Sequence, residues 1–432
     1  MATDSLRKLQ LMVFATMFLG YAMYGYNRKS VSLALPKLME EGLRKEHAGL
    51  IVSSQNMAYA ISKFIGGVLS DRLSARRLFA IGLVGTGLAT LLFGTADSLA
   101  LFCGFWFLNG FAQGCGWPSC AKIIRQWYPP SQFGTWWSVL SASSNVSGGL
   151  APFLATFIIL NYGWRSSLFF AGSLSIAMGL VSFFTLYNSP TDLGYPSFLE
   201  NAKKNDGEKP EKTDAKKDGG FSDLLPSPFL WLISAAYCVI MATKTSAVDW
   251  GQVYLREELG HSAYVGSTLT SCVESGGFFG GIAAGLVTDW AVKRHDRRLR
   301  HNPRVPAAIF FFFCTAVCLH ILVFVVDQNT SQFLIAVIGF TLGAAVYGDI
   351  AIFGIVSCES APVHLSGSAH AITSFAANVG ATLSGLPFSI LAAQFSWKSV
   401  FLLLEVICGL VCVLMIICVR IDSRIARHLH KD

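Results

Sequence analysis

Charged residues are scarce in this sequence: Asp, Glu, Lys and Arg make up 14% of its 432 residues, whereas a soluble domain has about a quarter of its residues charged. Because 53% of the residues are hydrophobic and 33 are phenylalanine, this scarcity excludes a soluble globular protein and indicates a polytopic membrane protein. The net charge of +7 does not indicate a nucleic-acid-binding protein, since Lys and Arg stand at the ends of apolar runs.

Motifs for catalysis, metal binding and nucleotide binding are also missing. We find no paired nucleophile and base, no cluster of metal ligands and no phosphate loop, so we expect neither an enzyme nor a bound cofactor. The 11 cysteines include Cys314 with Cys318 and Cys408 with Cys412, at i, i+4 spacing inside apolar runs. This spacing predicts small packing residues rather than disulfides or metal ligands. No small-residue cleavage site follows the first apolar run, so no signal peptide is expected.

Apolar windows of about 20 residues, bounded by charge, Pro or Gly, predict an all-α membrane protein with twelve transmembrane helices. The predicted spans are 10–35, 48–70, 78–97, 99–122, 133–160, 165–187, 227–248, 263–289, 305–326, 332–357, 366–393 and 397–419. A mixed-charge stretch rich in Gly and Pro predicts a disordered linker over 189–226. It separates six-helix bundles over 1–188 and 227–419, with a tail over 420–432. Lys and Arg predominate on the side of both termini, which predicts that the termini, linker and tail are cytosolic.

The two halves repeat in direct order. "YGWRSSL", from Tyr162, matches "FSWKSVF" 233 residues later, and the same offset relates Asn145 to Asn378. A parallel repeat of six helices is the architecture in which two bundles rock about a central site. The sequence therefore predicts a two-bundle carrier.

The segment from Gly67 to Arg77, G-x-x-x-D-R-x-x-x-R-R, resembles the loop between the second and third helices of the major facilitator superfamily. The region "FLNGFAQGCGWPSCAKIIRQWYPPSQFGTWWSVLSASSNVSGG" resembles the organophosphate:phosphate antiporters of that superfamily, as do "YNRKS", "KTSAVDWGQ" and "GSAHAITSFAANVG". Within this family the sequence is most similar to the exchangers of the endoplasmic reticulum. The resemblance implies a major facilitator fold of two six-helix bundles in parallel repeat.

The same resemblance implies a function. It implies exchange of glucose 6-phosphate for inorganic phosphate by alternating access, with glucose 6-phosphate carried from the cytosol to the lumen of the endoplasmic reticulum. The implied partners are these two substrates and the lipid bilayer, with functional coupling to a lumenal glucose-6-phosphatase and no nucleic acid. The implied location is the endoplasmic reticulum membrane, as a multi-pass protein.

Cations inside the predicted spans are the candidates for phosphate binding, because each costs about 2.5 to 3.5 kcal/mol at mid-bilayer. Arg28 shares a helical face with Tyr21 and Tyr24, and an interfacial anchor is the alternative for it. Lys29 lies about 100 degrees around the helix and ranks below Arg28. Lys244 stands 216 residues after Arg28, as its repeat partner, so we expect one cation from each half.

A His in the eleventh span is the fourth candidate. A lone intramembrane His is more often a packed, hydrogen-bonded residue, but the family resemblance favours His370 as a phosphate contact. Side chains for the sugar are predicted with less support, since most polar residues in helical bundles serve packing. They are Tyr24, Asn56, Tyr59, Trp137, Asn145, Gln252 and Asn378.

A gating role is predicted near the cytosolic helix ends. Lys63 is either a gate or a snorkelling residue, and Asp71 with Arg72 fits an interhelical clamp that holds one conformer. Asp289 is the repeat partner of Asp71. We expect these four side chains to control conformation rather than to bind substrate.

Two other functions fit the same sequence. One is a proton-coupled organophosphate symporter, for which Glu274, Asp349 or Glu405 would be the titrating carboxylate. The other is a sensor that binds hexose phosphate without moving it. Exchange of another phosphorylated sugar or organophosphate for phosphate is a variant of the first interpretation.

Overall fold

The computed structural model describes residues 2–128, 133–196, 223–294, 302–361 and 365–425. Every regular element in these ranges is a helix, because long apolar runs satisfy their backbone hydrogen bonds within the helix itself. The prediction of an all-α protein is therefore confirmed. Several helices begin at a serine that caps the first turn: the Ser98 hydroxyl accepts from Leu101 N, and Ser227 accepts from Leu230 N.

Helices α1 to α7 form the N-terminal part. They are α1 (Ala2–Glu40), α2 (Lys45–Arg72), α3 (Ala75–Thr95), α4 (Leu99–Gln113), α5 (Gly116–Trp127), α6 (Phe133–Tyr162) and α7 (Trp164–Thr185). A short 3-10 helix, Pro190–Leu193, follows α7. The fourth predicted span is thus interrupted between α4 and α5, at Gly114 and Cys115.

Helices α8 to α15 form the C-terminal part. They are α8 (Pro228–Asp249), α9 (Gly251–Glu257), α10 (Ala263–Arg294), α11 (Val305–Phe324), α12 (Gln332–Glu359), α13 (Ser366–Leu383), α14 (Leu386–Gln394) and α15 (Trp397–Ile417). The eleventh predicted span corresponds to α13 and α14, with an interruption at Ser384 and Gly385. All eleven cysteines are free thiols.

Ten helical segments of the described chain are long and apolar enough to cross a membrane. Two pairs, α4 with α5 and α13 with α14, each count as one such segment. The described parts of α2 and α10 are helical where the sequence predicts the second and eighth spans, but they are not among the ten. Both carry many Ser, Gly and charged residues, which lower their hydropathy.

Contacts divide the chain into two compact units, residues 1–41 with 50–213 and residues 42–49 with 214–432. The predicted boundaries at 188 and 227 stay a prediction, because residues 197–222 of the linker lie outside the described residues. Residues 426–432 of the predicted tail lie outside them too.

Small residues bring helices together within each unit. In the first unit a Cβ added to Gly87 of α3 would lie 2.5 Å from the carbonyl oxygen of Gly172 in α7. In the second unit a Cβ at Gly276 of α10 would lie 1.9 Å from the carbonyl oxygen of Phe340 in α12. Glycine therefore allows these backbones to touch, as it does in many membrane bundles. This packing sets the positions of the polar residues on the neighbouring helices.

Candidate functional site

Arg28 lies inside α1, twelve residues before that helix ends at Glu40. Its side chain is half-buried, and Nε donates a 2.8 Å hydrogen bond to Oε1 of Gln113 on α4. The guanidinium carbon lies 4.1 Å from the ring centroid of Tyr59 on α2, a cation–π distance. The hydroxyls of Tyr59 and Tyr21 also interact with the guanidinium. Three helices thus hold Arg28 in place.

A second cation lies on the same tyrosine. Nζ of Lys63, one turn after Tyr59 on α2, is 5.9 Å from the Tyr59 ring centroid, and its side chain is exposed. Within the described part of the first unit, no carboxylate lies in ion-pair range of Arg28 or Lys63. Burying part of a guanidinium without a carboxylate costs free energy unless another anion binds to it. The cluster of Arg28, Tyr59, Lys63 and Gln113, which we call the arginine cluster, therefore has the charge of an anion site.

Lys29, the neighbour of Arg28, is only 9% exposed. It is more buried than Arg28 and follows it by 100 degrees around α1. Its role in phosphate binding stays a prediction.

An aromatic group extends from the arginine cluster. The Tyr21 ring lies 5.0 Å from that of Trp117 on α5, and Trp117 meets Trp137 of α6 edge-to-face at 4.7 Å. Trp137 is half-buried, as are Asn56 on α2 and Asn145 on α6. The structure thus connects Trp137 to Arg28 through two intervening rings. Tyr59 lies directly against the guanidinium, and its contact with the sugar stays a prediction.

Tyr24 has a different position from its neighbour Tyr21. It is fully buried, and its hydroxyl donates a 2.8 Å hydrogen bond to the carbonyl oxygen of Phe79 in α3. The hydroxyl is therefore used in packing α1 against α3. Its predicted contact with the sugar is not tested by this position.

The second unit contains a comparable cation on an aromatic face. Nζ of Lys244, on α8, lies 5.6 Å from the ring centroid of Tyr347 on α12. The Tyr347 hydroxyl donates a 2.7 Å hydrogen bond to Oε2 of Glu274 on α10, and Glu274 is 2% exposed. No carboxylate of the described residues lies in ion-pair range of Lys244 itself. Lys244 is thus connected to a buried carboxylate through one ring.

His370 lies on α13 between two serines. Its Nδ1 is 3.0 Å from the Ser357 hydroxyl on α12, and its Nε2 is 3.2 Å from the Ser374 hydroxyl one turn along α13. The ring is half-buried. Serine hydroxyls donate or accept, so this position suits either neutral tautomer of the imidazole.

The remaining predicted sugar residues of the second unit lie on α9 and α13. Gln252 is buried and donates a 3.3 Å hydrogen bond to the Ser267 hydroxyl of α10. Asn378 is half-buried, two turns after His370. Their contacts with the sugar stay predictions.

Asp289 belongs to an ion-pair cluster at the end of α10. Arg304, at the start of α11, donates from Nη1 to Asp289 Oδ1 at 2.8 Å and from Nε and Nη2 to the two oxygens of Glu359 on α12, at 2.9 and 2.8 Å. Arg304 is 5% exposed, so the fork of donors is buried while the carboxylates reach solvent. The side chains of Asp71 and Arg72 lie outside the described residues.

Sequence reasoning missed several of these polar partners. Gln113 and Asn109 are four residues apart in an apolar run, a spacing that places both on one helix face and marks them as a polar pair inside the membrane. This spacing is visible in the sequence and identifies the pair without a structure. For Arg304 and Glu359, which are separated by 55 residues, no local signal exists.

Comparisons with known proteins agree with this architecture. Residues 17–385 match the model of the Major Facilitator Superfamily. A bacterial homolog of the human lysosomal transporter Spinster, solved in an inward-facing and occupied conformation, aligns with a TM-score of 0.74 over 95% of this chain and 97% of that chain. At 12% identity this likeness concerns the fold alone.

Two relatives span nearly the whole chain. The "Probable hexose phosphate transport protein" of Chlamydia pneumoniae is 33% identical, over 91% of this chain and 88% of the relative. The "Membrane sensor protein UhpC" of Escherichia coli (strain K12) is 30% identical, over 94% of this chain and 91% of the relative. The superfamily consists of transporters, which confirms the prediction that the chain is not an enzyme. By its matched residues, its all-helical fold and these relatives, the chain is a multi-pass membrane protein that belongs to the Major Facilitator Superfamily.

Proposed function

We propose that this chain is an antiporter that exchanges glucose 6-phosphate for inorganic phosphate. The observation that carries the proposal is the arginine cluster, in which Arg28 is half-buried on the face of Tyr59 and no carboxylate of the described residues in the first unit is in ion-pair range. A phosphomonoester carries about −1.5 to −2 charges at neutral pH and three strong acceptor oxygens. It supplies the charge that this cluster lacks.

The geometry of Arg28 fits a phosphate oxygen pair. Nε is used by Gln113, and the Tyr21 and Tyr59 hydroxyls interact with the guanidinium, so we propose that the remaining terminal N–H donors face the phosphate. Arginine presents these donors in a plane, and charge-assisted hydrogen bonds to phosphate are roughly twice as strong as neutral ones. Arg28 is therefore the proposed primary phosphate ligand, and Lys29 a secondary one.

In the second unit Lys244 and His370 are the proposed phosphate ligands. Lys244 is a point charge beside Tyr347, and the repeat pairs it with Arg28. We propose that anion binding neutralises these cations and lowers the barrier to alternating access. The empty carrier, with its positive charges uncompensated, would resist the change of state, and exchange would be obligatory.

The name of one relative supports the substrate class, since it is called a probable hexose phosphate transport protein. The choice of glucose 6-phosphate, and transport from the cytosol into the lumen of the endoplasmic reticulum, rest on the sequence resemblance. Cytosolic termini rest on the distribution of Lys and Arg. A lumenal glucose-6-phosphatase would then consume the imported substrate.

For the sugar we propose the aromatic and amide side chains predicted from the sequence, of which Trp137, Asn56 and Asn145 are half-buried in the first unit. The proposed conformational controls are Asp289, which binds Arg304, and Lys63 together with Asp71 and Arg72.

The test is exchange by the purified chain in proteoliposomes. Phosphate-loaded vesicles should take up labelled glucose 6-phosphate, and vesicles without internal phosphate should take up only background amounts. Arg28→Ala should abolish uptake, whereas Arg165→Ala, which removes an exposed arginine paired with Asp97, should not. Uptake by Arg28→Ala at the wild-type rate would refute the site, and equal uptake without internal phosphate would refute obligatory exchange.

A sensor is the second candidate, because the 30% identical relative is named a membrane sensor. A sensor binds hexose phosphate without moving it. Binding of glucose 6-phosphate to the purified chain, combined with no uptake above background in phosphate-loaded vesicles, would select this function over exchange.

A further inference from the structure

Arg28 is the first member of a chain of buried hydrogen bonds. Its Nε donates to Oε1 of Gln113 at 2.8 Å, and Nε2 of Gln113 donates to Oδ1 of Asn109 at 2.6 Å. Nδ2 of Asn109 then donates to the hydroxyl of Thr90, on α3, at 2.9 Å. The chain leads from the half-buried guanidinium into the core of the first unit.

The second part of the chain returns to the helix on which it began. The Thr90 hydroxyl donates a short hydrogen bond to Oδ1 of Asn27, which precedes Arg28 in α1. Nδ2 of Asn27 donates to the carbonyl oxygen of Ala171 in α7 at 2.9 Å, and to the hydroxyl of Ser175. We call Gln113, Asn109, Thr90 and Asn27 the amide chain.

The direction of the amide chain follows from its first member. A guanidinium has donors only, so the oxygen of the Gln113 side chain must face Arg28 and its NH₂ group must face Asn109. The same argument orients Asn109, whose NH₂ group faces the Thr90 hydroxyl. The single Thr90 proton has two acceptors, Oδ1 of Asn27 and the carbonyl oxygen of Thr86 at 2.9 Å, and Asn27 is oriented by its own bonds to Ala171 and Ser175. From Arg28 to Thr90 each link has its dipole in one direction, an arrangement in which neighbouring hydrogen bonds polarise one another.

Burial makes each link in the amide chain depend on the next. Asn27, Thr90 and Asn109 are 0% exposed and Gln113 is 2% exposed, so water does not replace a lost partner. Leaving a buried donor or acceptor unsatisfied costs more than the net value of a hydrogen bond. Rotation of the Gln113 amide would break its bonds to both Arg28 and Asn109.

We propose that the amide chain is a positioning device for Arg28, an inference that rests on the proposed function. By engaging Nε, it fixes the plane of the guanidinium and directs the terminal nitrogens toward the phosphate oxygens. Asn109, Thr90 and Asn27 act through Gln113, as positioning residues. A preorganised fork loses less side-chain entropy when the anion binds, so breaking a distant link weakens phosphate binding.

Two threonines one turn apart on α3 give a matched test. Thr90→Val removes the acceptor of Asn109 and the donor to Asn27, while Asn109 keeps a weaker 3.3 Å contact with the carbonyl oxygen of Thr86. Thr86→Val makes the same substitution at a side chain that is equally buried. The Thr86 hydroxyl has no hydrogen-bond partner within the described residues, and its backbone carbonyl is retained.

The measurements are the dissociation constant for inorganic phosphate and the thermal unfolding midpoint, both on the full chain in detergent. Thr90→Val should raise the phosphate dissociation constant roughly three- to tenfold, the loss that corresponds to one hydrogen bond. Thr86→Val should stay within about twofold of the wild type, and Thr90→Ser, which keeps the hydroxyl, should restore binding. Equal phosphate affinity of folded Thr90→Val and Thr86→Val would overturn the inference.

A second variant decides the case if Thr90→Val does not fold. Gln113→Met has a similar volume and adds no charge, but it removes both the acceptor of Arg28 Nε and the donor to Asn109, so the folded variant should raise the phosphate dissociation constant at least about threefold. Wild-type phosphate affinity in this variant would overturn the inference. Failure of the wild-type chain to bind phosphate would instead refute the proposed function, and the two failures are therefore distinguishable.

Discussion

Arg28 and Tyr59 lie in direct contact, with the guanidinium carbon 4.1 Å from the ring centroid, although they come from different helices. The ring face stabilises the positive charge while the edges of the guanidinium stay accessible to hydrogen-bond acceptors. An aromatic face therefore stabilises the cation in the membrane and leaves its charge available. A carboxylate would neutralise that charge.

The contact between Arg28 and Tyr59 gives a first prediction. Tyr59→Phe keeps the ring face and should retain most of the glucose 6-phosphate exchange. Tyr59→Leu should raise the KM for phosphate about two- to fivefold, corresponding to a cation–π contribution of about 0.5–1 kcal/mol. Counterflow kinetics in phosphate-loaded vesicles measure both. Equal KM values for the Phe and Leu variants would show that the ring face does not support Arg28.

The ion-pair cluster around Arg304 gives a prediction for stability. Arg304→Ala removes three charge-assisted hydrogen bonds from a buried fork, so it should lower the free energy of unfolding by about 1–3 kcal/mol. Arg165→Ala, which breaks an exposed pair with Asp97, should cost less than about 1 kcal/mol. Thermal unfolding in detergent compares the two, and equal midpoints would contradict a structural role for the Arg304 cluster.

Asp349, in the middle of α12, gives a third prediction. It is 0% exposed, and neither carboxylate oxygen has a hydrogen-bond partner among the described residues. An unpaired buried charge is costly, so the neutral amide of Asp349→Asn should leave the unfolding midpoint unchanged or raise it. Asp289→Asn, which weakens a bond that Arg304 uses, should lower the midpoint. A lower midpoint for Asp349→Asn would indicate that the carboxylate has a partner of its own.

The hydrogen bond from Tyr347 to Glu274 gives a prediction on coupling. In obligatory exchange, uptake should depend on internal phosphate and not on an imposed pH gradient. Uptake by Glu274→Gln should also be independent of the pH gradient, because an amide oxygen still accepts from Tyr347. Tyr347→Phe is the control that removes the donor. Uptake that follows the pH gradient in the wild type but not in Glu274→Gln would support the proton-coupled symporter instead.

Helices and candidate cations were accessible from the sequence because both depend on local properties. An apolar run of about 20 residues satisfies its backbone only as a helix in the membrane, and a charge within it is conspicuous. The repeat that relates Arg28 to Lys244 is likewise a linear pattern. Interruptions such as the one between α4 and α5 were missed, since the hydropathy continues across them.

The partners of these cations were decided by the tertiary structure. Helical spacing predicts one face for Tyr21, Tyr24 and Arg28, yet packing buries the Tyr24 hydroxyl against α3 while Tyr21 interacts with the guanidinium. A helix face is about 100 degrees wide, so which neighbour each side chain meets depends on helix rotation and interhelical distance. Local sequence thus determined the helices and charges of this protein. Contacts between helices decided that Arg28 is held by Gln113 and Tyr59, because side chains separated by 85 and 31 positions are brought together only by packing.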